Sequence, residues 1–299
     1  MLQSLQRGFG FLRQAADMAT RDSDLLRPSF IAILAGFVLS LLGAGVMVLA
    51  ALSMGGTDAG RVLIVVLGLG LVLSEYIVTY VFAGMTVYLV YGLVAEGDGR
   101  MDRAWQAVGR SFWHLVSLAL ASTLVRLMES LLGGRNRRGG VPGGILASVL
   151  DAVGTTATYL VLPAMIIEDL DLGRALRRAT FIVKNNLLLV AVTEIGVGTV
   201  VGVASFVAIA LSILLGGGTF YLVETALGSS TAALLFGGAL GVTVTGVGIA
   251  IVAVLSPYVT TAYHTCLFLW AREVERARTA GRDERSVMAP ALVAAVLSS

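Results

Sequence analysis

A chain of 299 residues with 57% hydrophobic and 13% charged residues carries about half the charge of an average soluble domain. Its mean hydropathy of +0.89 leaves too little polar surface to face water. The formal net charge is only +2, and the arginines gather in short clusters beside apolar stretches, which excludes a nucleic-acid-binding stripe. Cys266 is the single cysteine, so there is no intrachain disulfide and too few soft ligands for a metal centre.

Six apolar stretches run approximately from Ser29 to Ser53, Val62 to Val94, Phe112 to Leu132, Ile145 to Ile167, Leu187 to Leu215 and Thr231 to Leu269. Each is long enough to cross a hydrocarbon core, which takes about 20 apolar residues. The expected fold class is all-α, a polytopic transmembrane helix bundle of six spans with cytoplasmic interfacial amphipathic helices. One transmembrane domain occupies residues 1–280, and 281–299 form a cytoplasmic tail. Sixteen of the 21 Arg and Lys lie in the N-terminal segment, the second and fourth connections and the C-terminal tail. By the positive-inside rule these face the cytoplasm, which places both termini inside a multi-pass cell (inner or plasma) membrane protein. The first stretch is too long for a signal-peptide core and is expected to stay as an anchor.

In chain order, the first interfacial helix covers about 2–19, where Leu2, Leu5, Phe9, Leu12 and Ala16 recur at three- and four-residue steps and leave Arg7 and Arg13 for lipid phosphates. Gly55 to Gly60 is a short external turn before the second span. That span would be about 50 Å long as a helix, so it must tilt or emerge from the bilayer near Tyr91. A second interfacial helix covers about 101–111, with Met101, Ala104, Trp105, Val108 and Phe112 in one stripe. Arg100, Arg103 and Arg110 face phosphates there, with Trp105 and Trp113 at headgroup depth. Gly133 to Gly144 is an external Gly-rich loop whose Arg135, Arg137 and Arg138 break the charge alternation.

The third interfacial helix covers about 172–185. Glu168, Asp169 and Asp171 precede it and Arg174, Arg177, Arg178 and Lys184 follow, the order that suits a helix dipole. Asn185 and Asn186 break it before the fifth span. Gly216 to Ser230 is an external connection without a basic residue. The sixth stretch reads best as one span, able to bend at Pro257 and continuing into the cytoplasm through Arg272 and Arg276; two spans would put the Arg-rich tail outside.

Charges inside the spans are the candidates for chemistry, since an ionised side chain at the bilayer centre costs about 3 kcal/mol or more unless paired or hydrated. Arg126 and Asp151 each fall about 9 Å below the outer boundary on neighbouring antiparallel helices. An Arg126–Asp151 ion pair is expected, with Glu129 one turn from Arg126 able to share it. Glu75 and Glu194 lie further from basic residues. They are either neutral acids hydrogen-bonded to Ser, Thr or Tyr on neighbouring helices, or a proton or cation path. Gly198 with Gly202, and Gly237 with Gly241, make small-xxx-small steps suited to a fifth-to-sixth span contact or a homodimer. His114 and His264 are assigned to interface or core. No nucleophile elbow, paired-histidine motif or phosphate-binding loop appears, so no catalytic, cofactor or metal site is assigned.

The stretch YLVLPAMIIEDLDLGRALRRATFIVKNN, with Pro163, Ile167-Glu168-Asp169 and Ala175-Leu176-Arg177-Arg178, resembles a motif shared by several uncharacterised prokaryotic polytopic membrane families. It is also similar to the membrane domain attached to some glycerophosphodiester phosphodiesterases. Arg7, Asp22, Leu25-Leu26, Pro28 and the segment Arg126 to Glu129 resemble one six-span family known as a domain of unknown function. The chain departs from these motifs at Phe181-Ile182-Val183, where a basic or polar helix more often continues. The resemblance implies a six-helix prokaryotic inner-membrane protein without catalysis, because the phosphodiesterase's soluble domain is missing from the sequence. The expected function is a non-enzymatic scaffold, partner-binding or lipid-interacting module, its partners membrane lipids and a membrane protein or second copy. The alternative is a small transporter or channel using Glu75 and Glu194.

Overall fold

The computed structural model describes residues 13–15, 17–20, 22–136, 159–185, 187–228, 230–282 and 287, with side chains at all of these except 23, 126, 128–136, 185, 187–197 and 199. Every regular element among them is helical. The long elements are α1 (Arg27–Met54), α2 (Asp58–Glu96), α3 (Met101–Arg110), α4 (Phe112–Asn136), α5 (Leu172–Asn185), α6 (Leu187–Leu227) and α7 (Thr231–Thr279). Residues 13–15, 17–20 and 159–167 add helical turns.

Among the described residues, α1, α2, Val200–Leu227 of α6, and α7 are each long and apolar enough to cross a membrane. A fifth candidate arises if α3 and Phe112–Val125 of α4, bent by 68° to each other, are one span. Of the expected fourth span only 159–167 is described.

Local signals set the helix ends. Pro28 fits the first turn of α1, where its missing N–H breaks no helical bond. The Thr57 hydroxyl accepts from the Gly60 N–H at 3.0 Å to cap α2. Gly97, at φ +77°, takes the left-handed conformation that closes the other end of α2. Ser230 caps α7 through the Ala233 N–H.

Two hairpins, α1–α2 and α6–α7, make up most of the molecule, and α2 also packs on α3, α4 and α7. The C-terminal halves of α2 and α7 are buried, from Phe82 to Gly92 and from Tyr258 to Ala277. They share one core with Ala15, Ala19, Leu25, Leu115, 160–166 and Ala175. The N-terminal halves of both helices and the length of α1 instead present large apolar side chains outward, with Leu52 81% and Phe37 65% exposed. Such a continuous apolar surface requires a nonaqueous environment.

Three expectations change here. First, the amphipathic helices turn their apolar faces into the protein core: Ala104, Ala107 and Val108 of α3, and Ala175, Ala179, Ile182 and Val183 of α5, are buried. These stripes consist mainly of small residues, which let helices approach closely, while the bulky Trp105, Leu176 and Phe181 point outward. Second, α6 runs to Leu227 and α7 begins at Thr231, so most of the expected connection from Gly216 to Ser230 is helix. Glycines that would break a helix in water do not break one where no water can satisfy the released backbone groups. Third, α4 continues to Asn136, so residues 133–136 are helix rather than loop. The sixth stretch is a single helix through Arg272 and Arg276.

Candidate functional site

The best-connected polar cluster lies at the core end of the molecule and uses the acidic and basic residues around α5. Asp169 adopts φ +51°, a left-handed kink that turns the chain from 159–167 into α5. The Ser111 hydroxyl, at the α3–α4 bend, donates to the Asp169 carboxylate at 3.4 Å. Asp171 caps α5 by accepting from the Arg174 N–H at 2.9 Å and from the Arg174 guanidinium at 2.5 Å.

Arg178 is the centre of the cluster. Its Nε and one terminal nitrogen donate to the two oxygens of Glu168 at 3.0 and 3.3 Å, and that terminal nitrogen also reaches Glu275 of α7 at 2.6 Å. One guanidinium thus ties the 159–167 segment, α5 and the end of α7. Hydrogen bonding to Glu275, then to Glu168, raises the Arg178 pKa above its ordinary value against the opposing effect of burial.

The caps carry a pH dependence whose sign can be worked out. The Arg174 N–H, followed by the guanidinium, holds the Asp171 carboxyl below the usual carboxylate range. A depressed folded pKa contributes stability above the unfolded value of about 3.9 and loses it as pH falls through the folded value. Asp171→Asn is therefore expected to lower the thermal midpoint in mild detergent at pH 7. That difference from the unmodified protein should narrow as pH is taken below about 4, which parallel melts at several pH values would measure.

The basic residues singled out for lipid phosphates divide into two groups. Arg100 pairs with Asp102 at 3.0 Å, Arg103 with Glu96 at 2.7 Å, Arg174 with Asp171, and Arg178 with two carboxylates, so these four are engaged within the protein. Arg13, Arg110, Arg177 and Lys184 are exposed and form no ion pair among the described residues. Arg7 lies outside the described residues.

Glu75 receives the Ser40 hydroxyl at 2.6 Å, a bond from α1 to α2 inside the first hairpin. Glu194 lies on α6, and Arg126 and Glu129 on α4, with their side chains outside the described set. Asp151 is outside it altogether, so the Arg126–Asp151–Glu129 cluster falls beyond the described residues.

The glycine pairs also divide. A Cβ on Gly237 would stand 3.2 Å from Val223, and one on Gly241 would stand 2.7 Å from the Gly216 carbonyl oxygen, both across the α6–α7 contact. Gly198 and Gly202 have nothing within 4 Å of a Cβ and take no part in that contact among the described residues. Their place on α6 is taken by Gly216 and Ser212. The Thr245 hydroxyl donates to the Ser212 carbonyl at 3.3 Å, and a Cβ on Gly248 would meet the Ser212 side chain.

Of the residues that carry the family resemblance, Asp22 accepts from the Asp24 N–H at 2.9 Å and lies against Gly99. Leu25, Pro28 and Ala175 are buried. Compared with known proteins, the chain matches no protein-family model and no curated protein.

Sequence reading did not anticipate the reach of Arg178 to Glu275, 97 positions away along the chain. Nor did it single out a polar face on α7. Ser256, Thr260 and His264 recur at four-residue steps inside an apolar stretch, a signal that helical periodicity makes legible.

Proposed function

We propose that this chain is a six-span prokaryotic cell-membrane protein with both termini in the cytoplasm. It acts without catalysis as a scaffold whose inner face engages anionic lipid headgroups. The observation that supports this reading is the sorting of the basic residues. Arg110, Arg177 and Lys184 are exposed without an ion pair among the described residues, on helices that also expose Trp105 and Phe181, and Trp113 is exposed at the start of α4. Exposed cations beside exposed aromatics form the chemistry of a headgroup-level contact. The long apolar helices, α1 above all, support lipid as the surrounding solvent.

A transport reading through Glu75 and Glu194 has weaker support. The described Glu75 carboxylate is occupied by Ser40 within a hairpin, and a bonded, half-buried acid does not by itself make a path.

The test is lipid selectivity of the reconstituted protein, read by electron spin resonance from the immobilised fraction of spin-labelled phosphatidylglycerol against phosphatidylcholine. The protein should prefer the anionic lipid at low salt. The variant Arg110→Gln/Arg177→Gln/Lys184→Gln should lose several-fold of that preference, since each basic residue near an anionic surface contributes about 1 kcal/mol. Equal immobilisation of the two lipids, or a variant indistinguishable from the parent, would refute the proposal.

A further inference from the structure

Where the exposed apolar halves of α2 and α7 give way to their buried halves, residues of both helices line a cavity of about 360 Å³. At about 1.5 Å per residue its lining lies roughly 14–26 Å from the Glu96 end of α2 and roughly 23–35 Å from the Thr279 end of α7. The floor is apolar, made by Ala83, Val87, Leu118 and Leu162. One wall is polar and comes from the periodic face of α7 at Ser256, Thr260, Thr261 and His264, faced by Tyr159 and by Tyr80.

The polar wall is held in place by its own bonds. The His264 Nδ1–H donates to the Thr260 carbonyl at 2.7 Å, which fixes the ring, and the ring stacks on Tyr159 with centroids 4.6 Å apart. Tyr80 and Ser122 share a hydrogen bond at 2.7 Å, and Thr260 donates to the Ser256 carbonyl at 2.9 Å. The hydroxyls of Tyr159, Ser256 and Thr261 form no hydrogen bond among the described residues, although all three line the cavity. Pro257 has no N–H to offer, so the Ala253 carbonyl one turn back loses its helical donor.

This chemistry selects a class of ligand. The volume lies at the lower end of the range for small-molecule sites, about 300–1,000 Å³, and an apolar lining with a few placed hydrogen-bonding groups is their usual composition. Among the described residues no Arg, Lys, Asp or Glu lines the cavity, so a charged headgroup meets no counter-ion from them. We infer that the cavity binds an uncharged lipid of the diacylglycerol type. Its hydroxyl and ester carbonyls meet Tyr159, Ser256 and Thr261, and its chain lies over Ala83 and Leu118. This site is distinct from the basic face, but it rests on the reading that α2 and α7 lie in the bilayer.

The probe is a diacylglycerol carrying a photoreactive group on one acyl chain near the glycerol, compared with phosphatidylglycerol bearing the same chain. Both are reconstituted with the full-length protein into phosphatidylcholine vesicles. After flotation and irradiation, labelled peptides are mapped by mass spectrometry. Diacylglycerol should label peptides containing 79–87 and 256–264, and phosphatidylglycerol should label them at least fivefold less. Ala83→Phe, which fills the floor, should reduce that labelling about tenfold while labelling of 30–52 persists. If Ala83→Phe does not fold, Ser256→Ala/Thr261→Ala should reduce it several-fold instead.

Equal labelling by the two lipids, or labelling of the cavity peptides unchanged in the filled variant, would overturn the inference. A protein that floats with the vesicles but shows no cavity labelling sinks this site alone. One that does not float with them also sinks the membrane placement.

Discussion

Gly216→Leu is expected to be among the most damaging single substitutions in the chain, with Gly241→Leu close behind. A Cβ on Gly216 would stand 2.5 Å from the Gly241 carbonyl oxygen and would also collide with the Thr245 side chain; a Cβ on Gly241 would stand 2.7 Å from the Gly216 carbonyl oxygen. In both cases the obstacle includes backbone, so no rotamer change relieves it and the two helices must move apart. Overpacking of a close contact costs about 1–3 kcal/mol and sometimes more. The contact also holds the Thr245 to Ser212 hydrogen bond, which separation would break. Unfolding in mixed micelles with increasing sodium dodecyl sulfate should show a loss of about 3 kcal/mol or failure to fold for Gly216→Leu. Gly202→Leu, placed where a Cβ meets nothing within 4 Å, should stay within about 0.5 kcal/mol of the parent. A Gly216→Leu protein as stable as the parent would show that α6 and α7 are not held by this contact.

The second large effect is expected from Arg178→Gln. The change removes the cation that bridges Glu168 and Glu275 among the described residues and leaves two carboxylates on adjoining elements without that counter-ion. Side-chain exposures of 20% for Arg178, 20% for Glu168 and 37% for Glu275 put the cluster between a surface pair and a buried one. Surface pairs contribute at most about 1 kcal/mol and breaking a buried one costs about 3–5 kcal/mol, so a loss of about 2 kcal/mol is expected. The decisive comparison is the triple variant Arg178→Gln/Glu168→Gln/Glu275→Gln, which has no stranded charge and should recover most of that loss. If it is no more stable than Arg178→Gln alone, shape and packing rather than charge account for the effect. Cleavage by added protease near 168–178 should rise in the single variant, because α5 loses its tie to α7.

These two sites differ in how far the sequence pointed to them. The small-xxx-small step of Gly237 and Gly241 was legible because its spacing is local to one helix. The partner surface was not, since Gly216 looked like part of a loop and Gly198 with Gly202 offered the same spacing. A spacing rule shows that two backbones can approach, but only the register of the hairpin decides where they do. Likewise Glu168, Arg174 and Arg178 stood out as a charge pattern around one helix, whereas Glu275 belongs to a distant helix end. The basic residues were all counted as lipid-facing because a sequence does not show that Arg103, Arg174 and Arg178 have carboxylates within reach. His264 was read as a core or interface residue. The structure does bury it, but on a cavity wall whose other members come from three separate segments.

The sequence by itself determined the helical class, the apolar stretches and the amphipathic stripes. Each is a property of a continuous segment: about 20 apolar residues define a membrane-length helix, and a three- and four-residue recurrence defines a face. Local chemistry likewise located several ends, at Pro28, Gly97 and Ser230. Tertiary structure alone decided which way those stripes turned, toward the protein core for α3 and α5, and which arginines remained for solvent or headgroups. It also decided that α6 persists through Gly216 to Leu227 and that α2 and α7 share the lining of a polar-walled cavity. Those outcomes depend on distances between residues far apart in the chain, and in an apolar setting they follow from close packing and hydrogen-bond satisfaction rather than from any one segment's preference.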